Sequence, residues 1–226
     1  MENTQILAYM KFTVNNFKSI KYMKRLSVFS IFFLMVFSLN AQRNNQTSGL
    51  SAKEIEDFQE MTGQMIDRLQ KYLSILGSKD KTDETKAMYQ KQTLKLFMGK
   101  GDPYTDADGN SQRAVHMQVS STRTKQINNV PLKKYLKNLM SLPYAKVEIT
   151  KADAHRISNI YKVGDHYEAT ATIFQRFCGY GLDNRKRYCD VTTKTIRIYI
   201  IMEEDFIGKK WVIRFGDIDV AETTGN

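Results

Sequence analysis

Two stretches of the carboxy-terminal half decide the fold: residues 167–178, YEATATIFQRFC, and residues 189–200, CDVTTKTIRIYI. Both alternate apolar with polar side chains and are rich in β-branched and aromatic residues, which predicts two β-strands. If Cys178 and Cys189 face each other across the intervening loop, antiparallel pairing fixes the rest of the hairpin. One face then carries the apolar pairs Ala171–Ile196, Ala169–Ile198 and Tyr167–Ile200. A slip of one residue would turn this apolar set to the other face, so the cysteines and the hydrophobic pattern select the same register.

One residue on the apolar face of this register is charged. The same pattern also fixes the pairing of the next strand. The charged residue is Lys194, which lies opposite Ile173 on the apolar face. The last strand pairs with its neighbour through three apolar pairs, Ile200–Ile213, Met202–Trp211 and Ile198–Phe215. Strands are therefore predicted, as in an antiparallel meander, at about 146–161, 166–178, 188–203 and 210–219.

A long helix is predicted at the start of the domain. Ser51 and Glu54 have the spacing of a capping box, and Gly77 is a typical helix end. An apolar stripe at helical spacing lies between them. It consists of Ile55, Phe58, Met65, Leu69, Tyr72 and Leu76.

Two shorter helices are predicted at 82–98 and 131–142, with a short strand at 114–121 between them. Helices that cover one face of an antiparallel sheet give an α+β fold. We therefore expect the long helix and the two shorter ones to pack on one face of a curved antiparallel β-sheet.

The amino-terminal segment predicts export. Lys24 and Arg25 precede an apolar run of about 14 residues, and Ala41 follows this run at a cleavage position. The run is shorter than the roughly 20 residues of a membrane span, so no stable span is expected after cleavage. The alternative is an uncleaved anchor or a buried helix. The expected location is periplasmic or extracellular.

The export signal divides the chain. Met23 is the expected start, because signal peptides begin close to their basic residues. The predicted parts are an upstream extension at 1–22, a signal peptide at 23–41, a tether at 42–50 and one domain at 51–226. Removal of residues 1–41 takes away five basic residues and one acidic residue, which lowers the net charge from +10 to +6. The remaining charge forms no basic stripe, so no nucleic-acid partner is expected.

The two cysteines are the strongest chemical signal. In an oxidising compartment, a pair at the two ends of one hairpin loop predicts a disulfide between Cys178 and Cys189; two free thiols are the alternative. The histidines are scattered, and the acidic loop after Tyr104 has Val115 where a calcium loop needs a glutamate. We therefore expect no metal and no cofactor.

Asp153 and His155 are the candidate catalytic pair. They lie two residues apart and would point to the same side of a strand, where a carboxylate can orient an imidazole for proton transfer. A two-residue turn at Gly164 would place His155 opposite Phe174, away from the apolar face, whereas a five-residue loop would place it inside. The alternative is a solvated or structural pair.

Ala169 and Ala171 leave space on an otherwise bulky face. Either the first helix packs closely there or a pocket opens. Tyr135 and Tyr167 would line such a pocket, and all four residues are candidates for ligand binding. Tyrosines also serve in the same way as core residues of small domains.

The order of elements resembles the NTF2-like (cystatin-like α+β cone) superfamily. The resemblance rests on residues 131–139, PLKKYLKNL, residues 167–175, YEATATIFQ, and residues 211–218, WVIRFGDI. The leader, which ends with residues 38–42, SLNAQ, resembles those of exported Bacteroidetes proteins. The superfamily includes isomerases and dehydratases as well as non-catalytic binding domains, so the resemblance implies a fold and leaves the function open.

Two functions follow as the main hypotheses, and a purely structural subunit is a third. The first is a non-catalytic envelope module that binds a protein, a glycan or a small ligand. The second is a small-molecule enzyme of the isomerase or dehydratase type that uses an interior pair of Asp153 and His155. The sequence leaves open whether the protein is a monomer or a homodimer.

Overall fold

The computed structural model describes residues 49–106, 109–206 and 208–225. The predicted upstream extension and signal peptide, and most of the tether, lie outside these residues. The helices are α1 (Ala52–Gly77), α2 (Asp83–Leu94) and α3 (Leu132–Met140), with a 3-10 segment at Met98–Gly101. None of the described helices is long and apolar enough to cross a membrane.

The strands form one large sheet and one small hairpin. The hairpin pairs β1 (Tyr104–Thr105) with β2 (Ser111–Gln112). The other strands are β3 (His116–Val119), β4 (Asn128–Pro131), β5 (Lys146–Lys151), β6 (Arg156–Ile157), β7 (Tyr161–Val163), β8 (His166–Tyr180), β9 (Lys186–Asp205) and β10 (Gly208–Gly225). The sheet order is β4-β3-β10-β9-β8-β5, and β6 and β7 also pair with β8. Every pair is antiparallel except β3 with β10, which is parallel.

The predicted register of the central hairpin is confirmed. Cys178 lies opposite Cys189, and all three apolar pairs form as predicted. The three predicted apolar pairs between β9 and β10 form as well. The predicted disulfide joins the two cysteines. Because it closes a loop at one end of the hairpin, it stabilises the fold by roughly 3 kcal/mol in the chain-entropy view.

Helix α1 begins and ends as its sequence predicts. The Ser51 side chain accepts a hydrogen bond from the Glu54 backbone, and the Glu54 carboxylate accepts one from the Ser51 N–H, which completes the capping box. At the other end, Gly77 lets the helix approach β5, since a Cβ there would lie 3.0 Å from the side chain of Val147.

Two serines, one in α1 and one at its C-cap, also cover the edge of the sheet. The backbone N–H of Ile149 donates to the Ser74 hydroxyl at 2.8 Å, and that of Val147 donates to the Ser78 hydroxyl at 2.9 Å. Strand β5 is an edge strand, and its outward N–H groups would otherwise be open to pairing with another chain. Helix α1 therefore both packs on the sheet and closes its edge.

The predicted strand at 146–161 was too long. The structure divides this segment into β5, β6 and β7, with bends at residues 152 and 153. Strand β4 and the parallel contact of β3 were not predicted, and α2 ends at Leu94 rather than near residue 98. Short strands that pair only with distant segments carry little local pattern, which explains these omissions.

The core lies between the helices and the apolar face of the sheet. Phe97 and Phe215 lie at its centre, both fully buried, with ring centroids 5.6 Å apart. The backbone N–H of Phe215 also donates to the Leu96 carbonyl at 2.8 Å. Helix residues of the same core include Ile66, Leu69, Leu73, Leu76, Leu132 and Leu136.

Candidate functional site

A cavity of about 380 Å³ lies beside this core, at the disulfide end of the central hairpin. Its apolar walls come from β3, β4, α3, the segment between α3 and β5, β5 and β8. They consist of Val119, Val130, Tyr135, Leu139, Leu142, Tyr144, Ile149 and Phe177. Its volume falls within the range of small-molecule sites, which is about 300–1,000 Å³.

A glycine and two aromatic rings shape one wall. The Tyr144 ring lies directly over Gly179, where a Cβ would come within 2.6 Å of the ring. Tyr144 also packs edge-to-face on Phe177, with ring centroids 6.0 Å apart. Any larger residue at position 179 would therefore displace a wall of the cavity.

The loop after β3 forms the rim. The Tyr188 hydroxyl accepts a hydrogen bond from the Thr122 backbone N–H at 3.1 Å. The Arg123 guanidinium lies 4.7 Å above the Tyr188 ring and donates to the Arg187 carbonyl at 2.9 Å. These contacts fix the loop to β9 and place a cation at the rim.

One side of the cavity is polar. The helix-covered face of β8 and β9 is apolar as far as Ile173 and Ile196, and it then changes character. Beyond them, the side chains that line the cavity are Gln175, Lys194, Thr192 and Asp190. All four residues are buried. The sheet therefore presents polar groups to the cavity from a buried surface.

Lys194 is the most unusual of these groups. It is 7% exposed, and its neighbours across the two adjacent strands are Ile173 and Val220. No hydrogen bond or ion pair within the described structure holds its ammonium group. Burial lowers the pKa of Lys194 to about 8, and the charge of Asp190 opposes this shift. A buried ammonium without a direct counter-ion is unfavourable in the folded protein.

Asp190 has a partner of its own. The Tyr188 hydroxyl donates a short hydrogen bond to its carboxylate. Burial raises the pKa of Asp190, while this hydrogen bond and the charge of Lys194 lower it. Asp190 and Lys194 are four residues apart on one strand, so their Cα atoms lie roughly 13 Å apart. The two charges therefore influence each other without forming an ion pair.

Tyr135 adds a donor from α3. Burial raises the pKa of its hydroxyl to about 12, so the hydroxyl keeps its proton at neutral pH. It lines the cavity and has no hydrogen-bond partner among the described residues. Tyr135 is the one predicted ligand-binding residue that lies in the cavity wall.

The other predicted ligand-binding residues lie elsewhere. Ala169 and Ala171 are buried in the core and do not line the cavity. Tyr167 is also buried, and its ring packs on Trp211 with centroids 5.3 Å apart. The space that the two alanines leave is part of the packed core, and the pocket opens further along the same face.

Asp153 and His155 do not form a pair in the described structure. Asp153 is exposed, and its carboxylate accepts a hydrogen bond from the Ala154 backbone. The turn at Gly164 has two residues, but the register shifts by one residue between β7 and β6. This shift places the His155 ring against α1, where a Cβ at Gly63 would meet the ring at 2.9 Å.

The polar side chains of the cavity were not predicted, although the sequence carries a signal of them. Lys194 stood out as the exception in the register, opposite Ile173. If the same register is continued toward the cysteines, it also places Gln175 opposite Thr192 on the face that is apolar elsewhere. A buried face that changes from apolar to polar along two paired strands is the pattern that predicts this site.

A second pocket, of about 220 Å³, lies on the opposite face of β8 and β9. Here several polar groups bind one another. His166 Nε2 lies 3.2 Å from Glu168 Oε1, and the Tyr161 hydroxyl donates to Glu168 Oε2 at the same distance. Most of these polar groups are paired, but His166 Nδ1 is buried without a hydrogen-bond partner among the described residues. Among the described residues, no cluster of histidine, cysteine and acidic side chains could hold a metal.

Comparisons of the chain with protein-family models, with curated proteins and with solved structures find no match. The cavity and its lining residues are therefore the guide to function.

Proposed function

We propose that the protein is an exported module that binds a small organic ligand in the 380 Å³ cavity and catalyses no reaction. The observation that carries this proposal is the cavity itself, with its apolar walls and its few polar groups. Ligand sites generally combine a largely apolar surface with a small number of placed polar groups. A small ligand fits this space better than a glycan chain or a protein segment does.

We also propose membership of the NTF2-like superfamily. The structure has three helices and a curved mixed sheet, and its last strand lies in the middle of the sheet beside β3 and β9. The cavity lies between α3 and the curved sheet, where an NTF2-like fold would leave space. The layout supports the assignment, and fold alone carries no function.

The side chains of the cavity are better arranged for binding a ligand than for catalysing a reaction. A nucleophile that is activated by a general base needs that base within hydrogen-bond reach. Lys194 lies several residues along the strand from Asp190, whose carboxylate is already bound by Tyr188. The interior pair of Asp153 and His155 that would support an isomerase or dehydratase is not assembled in the described residues.

Export is supported by the leader sequence and by the disulfide. Disulfides persist in oxidising compartments such as the periplasm and the cell exterior. The Cys178–Cys189 bond stands at the end of the hairpin that forms the polar side of the cavity. An oxidising location would therefore also stabilise the binding site.

Binding of N-phenyl-1-naphthylamine tests the proposal. This neutral aromatic dye becomes fluorescent in apolar sites, and we expect the protein to bind it in the cavity. Thr192→Phe should weaken the binding about tenfold, equivalent to about 1.4 kcal/mol, because the phenyl ring takes up space in the cavity. Fluorescence titration measures the effect.

Thr193→Phe is the matched control. Thr193 is the next residue on the same strand, it points to the opposite face, and it does not line the cavity. Its variant should bind the dye as the unmodified protein does. An unmodified protein that fails to bind the dye, or equal affinities in the two variants, would contradict the proposal.

A further inference from the structure

We propose that the ligand is an organic acid in its ionised form, and that the ammonium group of Lys194 holds its anionic group. This inference rests on the proposed binding function and names the class of ligand. It follows from the charge and the contacts of the polar side of the cavity.

The charge of Lys194 has no direct counter-ion in the described structure. Lys194 is more than nine-tenths buried, and no acidic side chain among the described residues forms an ion pair with it. Its neighbours on the adjacent strands, Ile173 and Val220, are apolar. A largely buried ammonium group that faces a cavity is stabilised by a partner of opposite sign, because desolvation of a charge is unfavourable. An anion that enters the cavity supplies this partner.

Two hydrogen-bond donors, Gln175 and Tyr135, line the same cavity as Lys194. Gln175 is a diagonal neighbour of Lys194 on the adjacent strand, at a separation of roughly 7–8 Å. Tyr135 of α3 lines the same cavity, and its hydroxyl keeps its proton because burial raises its pKa to about 12. Both groups line the cavity, and neither has a hydrogen-bond partner within the described structure. They can donate hydrogen bonds to the oxygens of an anionic group held by Lys194.

The cavity that Lys194 lines has a net positive charge at neutral pH. Its other titratable side chains are Arg123, Tyr135, Tyr144, Tyr188 and Asp190. At neutral pH the two cations, Lys194 and Arg123, outnumber the single acid, Asp190. Arg123 lies at the rim, where it attracts an entering anion, and the apolar walls accept the rest of the molecule. An aromatic or branched aliphatic acid matches this combination.

The test uses two dyes that differ by one anionic group. 8-Anilinonaphthalene-1-sulfonate is N-phenyl-1-naphthylamine with an added sulfonate group. We expect Lys194→Met to weaken the binding of the anionic dye at least about tenfold, because the variant removes the positive charge and the donor that face the sulfonate. Binding of the neutral dye to the same variant should change less than about twofold, because methionine fills a similar space.

Lys95→Met is the control for binding elsewhere. Lys95 lines a surface cleft of about 300 Å³ together with Arg68, Lys100 and Arg214, which is another place where cations gather. Its variant should bind the anionic dye as the unmodified protein does. Loss of anion binding in Lys95→Met instead of Lys194→Met would overturn the inference, as would equal losses of both dyes in Lys194→Met. An unmodified protein that binds neither dye would contradict the proposed function itself.

Discussion

Replacement of Phe215 by alanine is expected to lower the free energy of unfolding by about 4 kcal/mol, the typical cost of a Phe→Ala change in a core. Phe215 is fully buried and packs edge-to-face on Phe97. It joins the segment after α2 to β10, because its backbone N–H also donates to the Leu96 carbonyl. The change leaves a cavity at the point where the helices meet the central strands.

Urea denaturation followed by circular dichroism measures this loss. Phe206→Ala is the matched control, because Phe206 is 97% exposed at the turn between β9 and β10. Exposed positions of this kind change stability by about 0.5 kcal/mol or less. If Phe215→Ala were as stable as Phe206→Ala, the described core would be wrong.

Removal of the disulfide should have the second largest effect on the free energy of unfolding. The double variant Cys178→Ala/Cys189→Ala is expected to lose about 3 kcal/mol of stability, because the unfolded chain regains the entropy of an open loop. The sequence separation of the two cysteines is 11 residues. Reduction of the unmodified protein with dithiothreitol should lower its stability to that of the double variant.

Intact mass spectrometry provides the accompanying measurement, and it also tests the proposed export. The chain recovered from the periplasm should begin at Gln42 and should be two hydrogen atoms lighter than the fully reduced form. Free thiols at both cysteines would contradict the disulfide, and a chain that retains residues 23–41 would contradict the predicted cleavage. The two outcomes are separable, because they change the mass by different amounts.

The long hairpin could be predicted from the sequence because two independent constraints agree. The cysteine pair and the alternation of apolar residues both specify one register, and the structure shows the same register from Tyr167 to Cys178. The capping box at Ser51 was equally local and is also confirmed. Signals of this kind need no knowledge of the rest of the chain.

The cavity could not be predicted, because its walls come from distant segments. Tyr135 of α3, Val119 of β3 and Ile149 of β5 meet only after the sheet has formed. The polar side was visible in part, since Lys194 interrupts an apolar face. The position of His155 depended on a one-residue register shift between β7 and β6, and the local sequence gives no sign of this shift.

Titration of Lys194 tests most directly whether its ammonium group is buried in the cavity and binds an anion there. The ε-carbon chemical shift of this lysine, followed by NMR against pH, should give a pKa near 8 in the free protein. The pKa should rise when 8-anilinonaphthalene-1-sulfonate binds, because an adjacent anion favours the charged ammonium. A pKa near the ordinary value of 10.5, unchanged by the dye, would show that Lys194 is solvated and would contradict the account of the cavity.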